Sequence, residues 1–246
     1  MAYELYYWDG IQGRGEFVRL ALEDAGADYV DVARGSEAKK QGTGAMMRIL
    51  ESRKDPYIPF APPFLKDGDF IVSQTANILL YLGPKLGLAP ADDKLRSFAH
   101  GLQLTIADMV VEAHDTHHPI ASGLYYEDQK EAAKARSADF LRHRLPKFMS
   151  YFERVLDHNP AGNAHAVGSD TTYVDLSLFQ LIEGLAYAFP HGMSTFNKRY
   201  PALAALRERV GGRPKIARYL DSNRRIPFNK EDIFRHYSEL DQEIGH

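Results

Sequence analysis

The chain has 246 residues and a formal net charge of −3, from 30 lysines and arginines against 33 aspartates and glutamates. This length can bury a substantial core in one large or two small domains, and the balanced charge gives no indication of a nucleic-acid partner. No apolar stretch is both long enough and free enough of charge to predict a membrane span. The absence of cysteine excludes disulfides, thiolate metal sites and a cysteine nucleophile. The absence of cysteine also fits a cytoplasmic protein, and the first residues lack the pattern of a signal peptide.

The first part of the chain alternates predicted strands and helices. An aromatic-rich run at residues 3–8 predicts a strand. Helical periodicity follows over residues 14–25 with Gly26 as its end, and residues 27–32 predict a second strand. A β-α-β order at this spacing indicates a parallel strand pair with a right-handed crossover. A weaker helical signal lies around residues 45–52.

Residues 60–83 are the most informative stretch of the sequence. Two short β-prone runs flank an Asp-Gly-Asp turn at residues 67–69, and a helix begins at Thr75 with Gly83 as its C′ residue. Pro63 stands directly before the first run, where it can hold a bend, with a cis peptide bond as one option. Up to this point the chain has the β-α-β-α-β-β-α order of a thioredoxin-like domain.

A linker at residues 85–93, which contains Gly87 and Pro90, separates two predicted domains. The first domain covers residues 1–84. The second covers residues 94–246, and its apolar spacing predicts helices only.

Two long helical segments open the second domain. One helix runs to about His117 and is stopped by Pro119. The other segment spans residues 128–156, where Pro146 should kink the helix or split it in two.

Residues 172–175, Thr-Tyr-Val-Asp, form an N-terminal capping box with Asp in place of the usual Glu. The helix that follows is apolar nearly all round, so we expect it at the centre of its domain. Short helices are predicted near residues 202–208 and 215–221. The tail, residues 223–246, is amphiphilic and has no predicted place in the fold.

The stretch around residues 60–83 resembles the glutathione-binding half of cytosolic glutathione transferases. The matching features are Pro-x-Leu-x-Asp-Gly at residues 63–68 and the Gln74-Thr75 pair at a helix start. The later capping box also resembles the family, so the resemblance covers nearly the whole chain. It implies an α/β thioredoxin-like N-terminal domain followed by an all-α C-terminal domain, assembled as a homodimer. It further implies a tyrosine-type member (mu-, pi-, sigma- or alpha-like), and we expect a bacterial source.

Glutathione conjugation requires a thiolate near neutral pH. Lowering a thiol pKa of about 8.5 by two units takes roughly 2.7 kcal/mol, and one good hydrogen bond to an anion supplies about 1.5–3 kcal/mol. Tyrosine-type members place such a donor in a motif similar to residues 5–14, Leu-Tyr-Tyr-Trp-Asp-Gly-Ile-Gln-Gly-Arg, which has one extra residue before the glycine. The resemblance therefore makes Tyr7 the catalytic candidate.

Tyr7 also has alternatives. It can be an ordinary half-buried strand aromatic, which is the commoner role of tyrosine. Tyr6 is the fallback donor, although strand alternation turns it to the opposite face. A serine-type site would need a serine here, and the first serine of the chain is Ser36.

The resemblance also assigns the two ends of glutathione. Gln74 and Thr75 would hold the γ-glutamyl carboxylate at a helix N-terminus, whereas Thr75 can equally be the cap of its own helix. Asp108 is placed like the acid that a partner subunit offers to the ammonium group, with an exposed helix acid as the alternative. Trp8 stands where some members use a tryptophan for the glycyl carboxylate. The unaligned alternatives to Trp8 are the cations Lys39, Lys40 and Arg48.

The loop that would hold the peptide backbone of glutathione differs from the family pattern at one position. In the family, the residue before the cis proline makes two backbone hydrogen bonds to the cysteinyl part. Here that residue is Pro62, directly before Pro63. Since proline has no N–H, Pro62 can contribute only its carbonyl.

Three histidines, His114, His117 and His118, follow one another at metal-ligand spacing. No further clustered ligand is evident, and a helix end favours histidine through its dipole alone. We therefore assign no metal, and we place His114 with Tyr125 and Tyr126 at the border of the electrophile pocket.

The predicted function is attack of the glutathione thiolate on a hydrophobic small-molecule electrophile, with glutathione as co-substrate. One alternative is a non-catalytic carrier or interaction protein with the same fold, for which Pro62 is the best argument. Another is a dedicated glutathione-dependent isomerase or peroxidase.

Overall fold

A mixed four-stranded sheet forms the N-terminal part of the computed structural model, which describes residues 2–54 and 56–241. Its strands are β1 (Tyr3–Tyr6), β2 (Tyr29–Asp31), β3 (Phe64–Asp67) and β4 (Phe70–Ser73). They lie in the order β2-β1-β3-β4; β1 is parallel to β2, and the other two pairings are antiparallel. The predicted parallel pairing of the first two strands is confirmed, and the right-handed crossover stays a prediction. The first two strands are shorter than predicted, and the first ends before Tyr7.

Three helices cover the two faces of this sheet: α1 (Gly15–Ala25), α2 (Thr43–Leu50) and α3 (Thr75–Leu86). Leu5 packs with apolar residues of α1 and α3, whereas its neighbour Tyr6 packs with Met46 of α2 and with Phe64. Successive strand residues point to opposite faces, so one strand contributes to both cores. This arrangement is the predicted thioredoxin-like fold.

The prediction that Gly83 ends its helix is wrong. The helix α3 continues to Leu86, and Gly87, with a φ of +68°, is the left-handed residue after it. Gly83 instead lies against Tyr173, whose ring would be 2.8 Å from a Cβ at this position. Leu86 packs against the apolar cores of both parts of the chain. This partial burial of Leu86 stabilises a last turn in which Pro84 supplies no N–H.

The second part of the described chain is built from helices. They are α4 (Asp93–Asp115), α5 (Lys130–Asp139), α6 (Leu145–Asp157), α7 (Tyr173–Ala188), α8 (Phe196–Arg199), α9 (Pro201–Gly211) and α10 (Pro214–Leu220). The central helix α7 is buried along most of its length and contacts α1, α4 and α9. Thr172 and Asp175 form the predicted capping box at its start. No helix within the described ranges is both long and apolar enough to cross a bilayer.

A π-helical turn, Phe140–Arg144, separates α5 from α6. Pro146 follows it in the first turn of α6. Proline has no N–H for the carbonyl four residues earlier, and its ring clashes with that carbonyl. The predicted interruption at Pro146 is therefore confirmed. By contrast, α4 ends at Asp115 rather than at about His117, and the short helix α8 was not predicted.

The tail beyond α10 crosses from one part of the molecule to the other. Its residue Asn229 donates from Nδ2 to the carbonyl of Gly10, in the loop between β1 and α1, at 2.9 Å. Further along, the carbonyl of Leu240 accepts a hydrogen bond from Ser137 of α5. The tail is thus part of the fold, while residues 242–246 of the predicted tail lie outside the described residues.

Candidate active site

Tyr7 directly follows β1 and is only 4% exposed. Its ring lies against the backbone of the loop that leads into α1. A Cβ at Gly13 would be 2.0 Å from Tyr7 Oη, and a Cβ at Gly15 would be 2.6 Å from Tyr7 Cγ. Gly13 also has a φ of +44°, in the left-handed region that other residues rarely adopt. The Tyr7 ring therefore fits only because Gly13 and Gly15 have no side chain.

The Tyr7 hydroxyl accepts a hydrogen bond from the backbone N–H of Arg14 at 2.9 Å. No group within residues 2–54 and 56–241 takes the Tyr7 proton in return, so this proton can be donated to a ligand. Burial raises the pKa of Tyr7, while the Arg14 N–H acts in the opposite direction. Tyr7 is consequently a neutral phenol, and a hydrogen-bond donor, at neutral pH.

The backbone of Arg14 joins Tyr7 to Thr75. Its N–H donates to Tyr7, and its carbonyl accepts from Thr75 Oγ1 at 3.3 Å. Two predicted site residues that are distant in sequence are thus both hydrogen-bonded to the backbone of one residue, Arg14. A cleft opens at this point between the sheet domain and α4, and its lining includes Arg14, Thr75, Gln103, Ile106, Ala107 and Val110.

The start of α3 is suited to bind an anion. Gln74, the residue before the helix, has a φ of +70°, which is uncommon for a residue other than glycine and marks a constrained position. No described side chain caps this helix, because the Thr75 hydroxyl is directed to Arg14. The first-turn N–H groups have no partners inside the helix, and the dipole adds positive potential there.

The other predicted glutathione contacts are Pro62, Pro63, Asp108 and Trp8, which differ in their exposure. The Pro62–Pro63 peptide bond is cis, with Pro63 buried and Pro62 partly exposed. Asp108 is exposed on α4, next to Ala107 of the cleft. Trp8 is 39% exposed. Their contacts with glutathione stay predictions.

The three predicted histidines form one cluster at the end of α4. Ring centroids are 5.1 Å apart for His114 and His117, 5.0 Å for His114 and His118, and 4.7 Å for His117 and His118. His117 Nε2 lies 2.8 Å from the Ile233 carbonyl and must carry the proton there. Burial lowers the pKa of His117 to about 3, so the ring is neutral. No set of three or more potential ligands in the described ranges could hold a metal ion.

The two predicted pocket tyrosines have different environments. Tyr125 is 77% exposed. Tyr126 is buried, stacks on Tyr237 of the tail with centroids 3.9 Å apart, and donates its hydroxyl proton to Glu239 at 3.0 Å. The Tyr126 hydroxyl is therefore used within the fold. The assignment of both tyrosines and of His114 to the electrophile pocket stays a prediction.

Asp232, which is 2% exposed, was missed by reasoning from the sequence. Its carboxylate accepts hydrogen bonds from the backbone N–H groups of Gln12 and Gly13, in the loop against Tyr7. These partners precede it by about 220 positions, and no local motif surrounds it.

Comparisons with known proteins bear on the family and the fold of the chain. A family model described as "Glutathione S-transferase, C-terminal domain" matches residues 114–223. The chain is 29% identical over 226 residues to a protein named glutathione S-transferase from Plasmodium falciparum (isolate 3D7), covering 89% of this chain and 95% of the relative. It is also 29% identical over 236 residues to glutathione S-transferase P 1 of Xenopus laevis, covering 94% and 96%. A solved structure of the pi-class glutathione S-transferase of Onchocerca volvulus shares the fold, with a TM-score of 0.68, 22% identity and coverage of 90% and 93%.

Together these matches support the cytosolic glutathione S-transferase superfamily as the family that this chain is similar to. The predicted resemblance is thereby confirmed, as is the fold of a thioredoxin-like domain followed by a helical domain. Some relatives carry the name of the pi class. The comparisons give no support to the expected bacterial source.

Proposed function

We propose that this chain is a glutathione S-transferase that conjugates the glutathione thiolate to hydrophobic electrophiles, with Tyr7 as the donor that stabilises the thiolate. The activity is supported by relatives named glutathione S-transferase, which the chain matches along nearly their whole length. One observation carries the role of Tyr7. Its oxygen accepts the Arg14 N–H, so the hydroxyl proton is directed to another acceptor.

The reaction needs no further group from the protein to form a covalent bond. The thiol proton leaves to solvent, and the thiolate accepts a hydrogen bond from the Tyr7 hydroxyl. The sulfur then donates an electron pair to the electrophilic carbon, the carbon–sulfur bond forms, and the leaving group departs with its own bonding pair. The preorganised donor stabilises the anion before the attack.

The two ends of glutathione would bind on either side of Tyr7. The N-terminus of α3, with Gln74, would bind the γ-glutamyl carboxylate, since its N–H groups and its dipole favour a negative charge. The carbonyl of Pro62 would accept one hydrogen bond from the peptide backbone. Asp108 of a partner subunit would meet the ammonium group, and Trp8 would face the glycyl carboxylate.

A homodimer is part of this proposal. Its support is the apolar surface that the single chain leaves exposed. Phe60 is 94% exposed, and Leu95, Phe98, Leu104 and Val111 of α4 are each more than 40% exposed. Large exposed apolar surface is typical of protein interfaces. A cytoplasmic location also belongs to the proposal, and it is supported by the similarity to the cytosolic superfamily.

The alternative is a glutathione carrier without turnover, and the observation that favours it is Pro62. A residue with no N–H at this position can make one hydrogen bond fewer to the peptide backbone of glutathione. Weak binding of glutathione together with slow turnover would support the carrier.

The test is turnover of a generic aryl halide with glutathione by the native chain, Tyr7→Phe and Tyr6→Phe. Removing one hydrogen bond to an anion should lower kcat/KM roughly 10- to 100-fold in Tyr7→Phe and raise the pKa of the bound thiol by about 1–2 units. Tyr6→Phe is the matched control, because the same change is made one residue away, on the opposite face of β1. Equally slow rates in all three proteins would contradict catalysis through Tyr7 and favour the carrier.

A further inference from the structure

The tail holds the loop against which Tyr7 packs. Asp232 Oδ1 accepts the Gly13 N–H at 2.8 Å, and Oδ2 accepts the Gln12 N–H at 3.0 Å. Oδ1 also accepts the N–H of its own neighbour, Ile233, at 2.6 Å. A carboxylate that is only 2% exposed is thus bound by three backbone donors, which offset part of the cost of burying it. Burial still raises the pKa of Asp232, and the three N–H groups act in the opposite direction.

The two N–H groups that donate to Asp232 and the N–H group that donates to Tyr7 belong to three consecutive residues. Gln12 and Gly13 donate to Asp232, and the next residue, Arg14, donates to Tyr7 Oη. Peptide units are planar, and only two torsions separate neighbours. With the Gln12 and Gly13 N–H groups held by Asp232, the Arg14 N–H has little freedom of direction.

We infer that Asp232 is a positioning residue for Tyr7: it holds the loop between β1 and α1 so that the Arg14 N–H meets the phenol oxygen and the phenol proton is left for the glutathione sulfur. This inference rests on the proposed function. Asp232 itself makes no contact with Tyr7 by hydrogen bonding; it acts through the loop.

Tail residues before and after Asp232 also form hydrogen bonds with other parts of the chain. Before it, Asn229 donates to the Gly10 carbonyl, and the Ile226 carbonyl accepts from the side chain of Gln12. After it, the Ile233 carbonyl accepts from His117. The carboxylate is therefore presented to the loop from a fixed segment, as a positioning role requires.

The charge of Asp232 has an effect that opposes its positioning effect. Burial, and then the charge of Asp232, raise the pKa of Tyr7, and a negative charge nearby also disfavours a thiolate. If charge were the only contribution of Asp232, its removal would lower the pKa of the bound thiol. If the geometry dominates, its removal raises that pKa. The two accounts differ in sign.

The experiment measures the pKa of glutathione bound to the full chain, from the ultraviolet absorbance of the thiolate, in Asp232→Asn. Asparagine keeps the shape but turns an NH2 group toward one of the loop N–H donors, so the loop must shift. We expect the thiol pKa to rise by about 0.5–1 unit and kcat/KM at neutral pH to fall roughly 3- to 10-fold, as for the partial loss of one hydrogen bond to an anion.

Asp241→Asn is the matched control. Asp241 is a second buried tail carboxylate, and it accepts two successive N–H groups, those of His191 and Gly192, each at 2.9 Å. These residues belong to the helical domain. Both variants should lose thermal stability, but only Asp232→Asn should change the thiol pKa. Equal thiol pKa values in Asp241→Asn, Asp232→Asn and the native chain would reduce Asp232 to a structural anchor and overturn the inference.

A double-mutant cycle with Tyr7→Phe tests whether Asp232 acts through Tyr7. In the Tyr7→Phe background, Asp232→Asn should change the thiol pKa little, since there is no hydroxyl left to position. Additive effects, or a lower thiol pKa in Asp232→Asn, would contradict the inference. If Tyr7→Phe alone has no effect, the proposed role of Tyr7 fails instead, so the two failures are distinguishable.

Asp232→Glu decides the question if Asp232→Asn does not fold. Glutamate retains the charge but moves the carboxylate by one methylene. A rise in the thiol pKa supports positioning, because the charge is unchanged. A thiol pKa equal to that of the native chain would overturn the inference that Asp232 positions Tyr7.

Discussion

Tyr6, the last residue of β1, and Tyr7, which directly follows it, are both buried, yet their hydroxyls have different hydrogen-bond partners. Tyr6 packs beneath α2, stacks on Phe64 with centroids 4.6 Å apart, and donates its proton to Glu4 at 2.8 Å. Tyr7 packs beneath the loop that precedes α1, and its oxygen accepts the N–H of Arg14. The Tyr6 proton is used within the fold, whereas the Tyr7 proton has no acceptor among the described residues.

This difference shows that burial does not by itself distinguish the proposed catalytic tyrosine from its neighbour. Burial raises the pKa of both residues, so both are neutral phenols. What separates them is the partner of the oxygen. A phenol whose proton is taken by a carboxylate cannot stabilise a thiolate, whereas a phenol that accepts an N–H still can.

The largest effect is expected from closing the space that Tyr7 occupies. In Gly13→Ala the new Cβ would lie 2.0 Å from Tyr7 Oη, at a residue with a φ of +44°. Since the ring must move away from the Arg14 N–H, we expect kcat/KM to fall by roughly 100-fold or more, with a loss of stability. The measurement is steady-state turnover of an aryl halide together with thermal unfolding.

Gly10→Ala is the control for this change. It alters the same loop, but a Cβ there would meet no atom within 4 Å. Native activity in Gly13→Ala would mean that the position of Tyr7 does not matter for turnover.

An intermediate effect is expected from Thr75→Val, which removes the donor to the Arg14 carbonyl but keeps the shape of the side chain. Losing one neutral hydrogen bond should cost about 0.5–1.5 kcal/mol, or roughly 2- to 10-fold in kcat/KM. Thr43→Val, at the first residue of α2 on the other face of the sheet, is the control. If the two variants behaved alike, the Thr75–Arg14 contact would have no part in the site.

The smallest effect on activity is expected from Tyr6→Phe. Loss of its hydrogen bond to Glu4 should lower the free energy of unfolding by about 0.5–1.5 kcal/mol, which corresponds to a melting temperature a few degrees lower. Turnover should stay within about twofold of the native rate, because the ring stack on Phe64 is retained. A loss of turnover as large as that of Tyr7→Phe would contradict the different roles that are proposed for the Tyr6 and Tyr7 hydroxyls.

Local patterns were sufficient to predict most of the fold. The turn at residues 67–69, the capping box at Thr172 and the interruption at Pro146 each depend on a few neighbouring residues, and all three are present. Predictions failed where distant contacts decide. The helix α3 continues past Gly83, where the partly buried Leu86 packs against apolar residues from both parts of the chain.

The candidate site divides in the same way. Strand alternation predicted that Tyr6 and Tyr7 face opposite sides, and the helix start predicted an anion site at Gln74 and Thr75. The sequence did not predict that the Thr75 hydroxyl donates to the Arg14 carbonyl. Nor did it predict that the Tyr126 hydroxyl donates to Glu239 of the tail. A side chain's hydrogen-bond partner depends on which elements pack together, and this cannot be obtained from spacing along one element.

By itself, the sequence determined the order of strands and helices, the two-part architecture and the position of the tyrosine motif, because periodicity, turns and caps act over a few residues. Only the tertiary structure decided that the Tyr7 proton, unlike that of Tyr6, has no acceptor among the described residues. It also decided that Asp232 holds the loop between β1 and α1. The decisive contacts are those of Tyr7 with Arg14 and of Asp232 with Gln12 and Gly13. The latter join the first and last parts of the chain, and packing alone brings those parts together.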